Sequence, residues 1–143
     1  MDVHLNKYAN HLLLVVLVYA LSGCSNLESI SQAPPEKGIP LYFSGDHELI
    51  KSAVLAAMQN LNIHIKDSYQ SDDGFNILFT KAITAVSWGE VGRVVVLESE
   101  PSKTVAYVHS QGRVKAQLFG VKEHQFARMI DNGVTKILAD SNL

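Results

Sequence analysis

Near the C-terminus, Phe126, Met129, Ile130, Gly133, Val134, Ile137 and Leu138 follow one another at i, i+3, i+4, i+7, i+8, i+11 and i+12. That spacing puts them on one side of a helix predicted over 122–139. A single apolar face obliges the rest of the chain to supply a surface that covers it. Gly133 sits on that face, where glycine costs about 1 kcal/mol against alanine, so it predicts the close approach of a neighbouring element. The chain has 143 residues, room for one core rather than two, since roughly 100–200 residues usually form one.

The covering surface is written in alternating strands. Ile63 and Ile65 alternate with His64 and Lys66, Asp72-Asp73-Gly74 supplies a turn, and Phe75, Ile77 and Phe79 alternate with Asn76, Leu78 and Thr80, as in a hairpin. Residues 93–98 hold Val94, Val95, Val96 and Leu97 without alternation, which fits a central strand covered on both sides or a strand passing a domain edge. Glu100-Pro101-Ser102-Lys103 turns the chain, since proline presets the second turn position, and 104–110 reads as the next strand. Upstream, Leu49, Ile50, Ala53, Val54, Ala57 and Leu61 recur at helical spacing behind capping candidates Ser44 and Asp46, predicting a helix over about 47–60. Leu41-Tyr42-Phe43 is either an edge strand or a plug beneath that helix. The expected fold is α+β, a two-layer sandwich in the order α-β-β-β-β-α. An antiparallel sheet of three to four strands carries two helices on one face.

The N-terminal region has a different character. Residues 12–21, LLLVVLVYAL, form an unbroken apolar run. Ten residues are too few for a hydrocarbon layer that needs about 20 helical residues, and they match the central region of a secretory signal. The run ends in Leu21-Ser22-Gly23-Cys24, which resembles the lipobox of bacterial lipoproteins position for position. The resemblance implies a signal peptide over 1–23, with Leu21, Ser22 and Gly23 recognised by the peptidase. Cleavage falls before Cys24, and its thiol carries a thioether-linked diacylglycerol, usually with a further acyl chain such as palmitate on the new amino group. Two or more chains make anchoring durable where one is marginal. Ser25 rather than Asp after the cysteine implies, by the enterobacterial sorting rule, the periplasmic face of the outer membrane, with the inner membrane as the alternative. Asp2 offsets Lys7, so the positive charge expected ahead of the run is thin. Cys24 is the only cysteine, which leaves no intramolecular disulfide for an oxidising compartment. Residues 24–40 are polar, with three of the four prolines, and read as a flexible tether of up to roughly 50 Å. Residues 41–143 form the single domain, which resembles the small uncharacterised α/β domains of other envelope lipoproteins.

Functional chemistry is thin. The chain holds 12 Lys+Arg against 14 Asp+Glu, and removing 1–23 takes one of each sign, Lys7 and Asp2, so the net of −2 persists. This slightly acidic balance lacks the basic footprint of a nucleic-acid binder. His47, His64, His109 and His124 show no metal-ligand spacing, so neither a metal nor a cofactor is expected. There is no GxSxG, and the Gly89-Glu90-Val91-Gly92 stretch is no phosphate loop. Asp72-Asp73 and Glu98/Glu100 read as solvated rims. Trp88, the only tryptophan, is either a partner contact at an exposed turn or a core lid. The reading is therefore a non-catalytic binding or accessory module of an envelope assembly or secretion machine. The sheet's uncovered face or an edge strand would meet an envelope protein or peptidoglycan. The alternatives are a small cell-wall or lipid hydrolase, which requires some of His64, His109, Glu98 and Asp67 to converge in a pocket, and a soluble periplasmic ligand-binding protein.

Overall fold

The computed structural model describes residues 26–83, 89–113 and 121–141. Its elements in chain order are α1 (Leu27–Ser31), a 3-10 turn (Pro35–Lys37), β1 (Ile39–Ser44), α2 (His47–Gln59), β2 (His64–Ser71), β3 (Gly74–Lys81), β4 (Glu90–Glu100), β5 (Lys103–Gly112) and α3 (Glu123–Ser141). The fold is α+β with one antiparallel sheet, ordered β1-β5-β4-β3-β2. The sheet has five strands rather than three to four, and α1 is a third helix, so the order is α-β-α-β-β-β-β-α.

Both differences have a local cause. The additional strand is β1, which puts Leu41-Tyr42-Phe43 in the sheet through long-range pairing with β5, Ile39 opposite Val108 and Phe43 opposite Thr104. Pro40 lies within β1, which is tolerable because β1 is an edge. The additional helix spans five residues, too short to show a period. It is set by a capping box in which Asn26 Oδ1 accepts from the Ser29 N–H and Ser29 Oγ from the Asn26 N–H.

The main core lies between the sheet and the two long helices. Phe43 of β1, Ile77 and Phe79 of β3, Val94 and Val96 of β4, and Ala106 and Val108 of β5 meet Ile50, Val54, Ala57 and Met58 of α2 and Phe126, Ile130 and Val134 of α3. The Phe79 and Phe126 rings tilt against each other with centroids 5.2 Å apart, a favourable aromatic geometry. Space for Phe79 comes from Gly92 directly across the β3/β4 ladder, where any Cβ would run into the ring. The close approach expected at Gly133 is met by α2, since a Cβ there would stand 2.9 Å from Ala57 Cβ.

The sheet's second face is where the fold departs most from expectation. Of the stretch read as a flexible tether, Ile39 and Pro40 belong to β1, while residues 26–37 are laid across that face, with α1 packed on β3 and β4 and the 3-10 turn against β5. Ile30 is 1% exposed there, and Val91, Val95 and Val105 are buried on the strands. This explains the unalternating β4, which is central and covered on both sides. A buried polar latch holds the segment down. Arg93 of β4, 4% exposed, donates from Nη1 to the carbonyls of Ser31 (3.0 Å) and Ala33 (2.6 Å) and from Nε to Asn76 Oδ1 (2.7 Å). Asn76 in turn donates from Nδ2 to Ser71 Oγ and to the Gly74 carbonyl. A buried guanidinium is tolerable only when its donors are used in this way.

Candidate binding cleft

Leu21, Ser22, Gly23, Cys24 and Trp88 lie outside the described residues. The groups named for a hydrolase are all described, and they stand apart. His64 is on β2 and His109 on β5, with β3 and β4 between them. Three inter-strand spacings of about 4.8 Å make roughly 14 Å. Asp67 sits on β2 beside a bulge that begins after Ile65, in the cross-strand row that runs through Leu78 and Arg93 to His109. Glu98 is at the other end of the sheet, opposite Thr104.

His109 has a partner that sequence reasoning did not anticipate. Its Nδ1 is 2.6 Å from Glu123 Oε1 at the start of α3, and the same oxygen accepts the Ser110 N–H at 3.0 Å. Ser110 lies just past the point where β1 stops pairing, so the carboxylate takes the place of the missing strand. The other ring nitrogen, Nε2, is 2.9 Å from Gln111 Nε2. Ser110 Oγ is buried without a partner, and as the next residue along a strand it projects to the opposite face from His109. The arrangement pins α3 to β5 and offers no serine to a base. His47 contacts Thr104 Oγ1 through Nδ1 at 3.2 Å, and no group of three or more His, Cys, Asp or Glu able to hold a metal occurs among the described residues.

Among the described residues, two concavities at opposite ends of the sheet differ in charge. The first, about 410 Å³, lies where the β4/β5 hairpin outruns the β2/β3 turn, and Glu36, Asp72, Asp73, Glu98 and His47 line it. The second is a cleft of about 500 Å³ at the far end of β3, lined by Ile63, His64, Lys66, Lys81, Ile83 and Arg113 among others, with no carboxylate among the described residues that line it. Its size is in the range of small-ligand pockets. Lys81 is steadied by the Phe126 ring, 5.7 Å from Nζ to the centroid. Glu90 is directly across the ladder from Lys81, with Oε1 engaged by the Val121 N–H at 3.1 Å. Arg113 is tied by its own N–H to the Gly89 carbonyl, while its Nε is buried without a hydrogen-bond partner. These cations are scattered along the sequence at 66, 81 and 113, so only strand pairing reveals them as neighbours.

In comparison with known proteins, the chain matches no family model, no curated protein and no solved structure. Among the described residues no helix is long and apolar enough to cross a membrane.

Proposed function

We infer that the chain is an envelope lipoprotein, anchored to a bilayer through Cys24, whose folded domain works by binding as an accessory component of an envelope assembly or secretion machine. The observation that carries this reading is the Leu21-Ser22-Gly23-Cys24 run, and the position of α1 sets how near the lipid the domain would then lie. The first residue of α1, Leu27, is three residues beyond Cys24, and three extended residues span at most about 11 Å. A domain joined to lipid by so short a link is held at the headgroup layer instead of roughly 50 Å above it. It therefore meets partners at the membrane surface, at a local concentration that free diffusion would not give. The periplasmic face of the outer membrane is the proposed site, by the sorting implied by Ser25, with the inner membrane as the alternative.

In-cell crosslinking and pull-down of the tagged chain, run beside Cys24→Ala and read by mass spectrometry, tests the reading. Wild type should fractionate with membranes and retain a stoichiometric envelope partner, and Cys24→Ala should lose both. An unchanged location and partner set in the variant would refute anchoring. Membrane fractionation of wild type with no partner would refute the accessory role.

A further inference from the structure

We propose that the cleft lined by Lys66, Lys81 and Arg113 is a binding site for a phosphate-bearing ligand, a phospholipid headgroup or a small phosphate ester. Three of the chain's 12 Lys+Arg residues gather around one cavity of about 500 Å³ that has no carboxylate among the described residues lining it. This is charge complementarity for an oxyanion carrying more than one negative charge. Burying a donor without an acceptor is costly, and Arg113 Nε is such a donor. An anion's oxygen would satisfy it, and the planar guanidinium suits the geometry of phosphate. Ile63 and Ile83 line the same cavity, with Ile83 61% exposed, so an apolar portion of the ligand beside the phosphate finds cover. The acidic concavity at the opposite end of the sheet gives the domain two poles, which favours approach of an anion, or of an anionic surface, from the cleft end.

For the lipid source the proposal rests on anchoring through Cys24; for a soluble ester it does not. The test is lysine footprinting on the mature lipidated chain, reconstituted into vesicles of phosphatidylcholine or of phosphatidylcholine with phosphatidylglycerol. Acetylation rates are read residue by residue by mass spectrometry at matched ionic strength. Exposed Lys136 on α3 serves as the internal reference. Lys66 and Lys81 should be protected relative to Lys136, either by phosphatidylglycerol alone, which identifies the headgroup, or only on addition of inorganic phosphate or glycerol 3-phosphate, which identifies a soluble ester. Arg113→Gln should weaken that protection about tenfold, as expected for loss of one hydrogen bond to a charged group. Should that variant lose its fold by circular dichroism, Lys66→Gln at an exposed position, read at Lys81, makes the same measurement. No protection by any of the probes, or protection of Lys136 to the same degree, overturns the proposal. Flotation of the vesicles reports anchoring separately, so failure of the cleft and failure of the anchor are distinguishable.

Discussion

Arg93 carries more of the architecture than any other polar residue described. Its three hydrogen bonds join β4 to β3 through Asn76 and to the chain ahead of β1 through two carbonyls. Arg93→Ala leaves the buried Asn76 Oδ1 and the part-buried Ser31 and Ala33 carbonyls unmatched, and we expect a loss of about 3 kcal/mol in urea denaturation. Trypsin should then cut faster after exposed Lys37 as the segment lifts away. Lysine is no substitute, because a single ammonium cannot reproduce the spread of a guanidinium fork. Gly92 presents the opposite problem, a place where nothing may be added. Gly92→Ala forces the Phe79 ring out of its seat against Phe126, and overpacking of this kind should lower stability by about 1–3 kcal/mol, visible as a reduced Tm. Neither role was legible beforehand. A lone arginine among valines and a glycine in a strand acquire meaning only from Asn76 and Phe79, their neighbours on β3.

At the scale of elements, the long-period signals were readable and the short ones were not. The α3 stripe, the α2 stripe and the β2/β3 and β4/β5 hairpins all follow from patterns that extend over several residues, and Gly133 correctly implied close contact, here with Ala57 on α2. The tether reading of residues 26–40 failed because prolines and polar side chains describe solvent preference. What holds this stretch is one buried apolar side chain, Ile30, together with the Ser31 and Ala33 carbonyls, and carbonyls are common to every sequence. Glu123 is a further case, looking like an ordinary acidic residue in a first helical turn while it joins α3 to β5. Glu123→Ala should cost about 1–3 kcal/mol by stranding the Ser110 N–H, whereas Glu123→Gln, which keeps an oxygen acceptor, should cost markedly less. Comparing the two variants by chemical denaturation separates the hydrogen bond from the charge.

For the whole molecule, the near-neutral total conceals an uneven distribution. The acidic concavity and the basic cleft lie some length of the sheet apart, and no sequence window contains both the residues of the cleft and the pairing that assembles it. Hence the fold class was accessible from the sequence while the cleft was not. The strand order also has a bearing on how the protein is made. β1 enters the sheet only through β5, with Ile39 against Val108, so the first strand synthesised must wait for the last. Under the anchoring proposed for Cys24, a chain threaded through a membrane from its N-terminus would be tied to lipid well before its sheet could close, and any product broken off ahead of β5 would carry an unpaired apolar strand, a form that proteases could recognise by its exposed backbone alone.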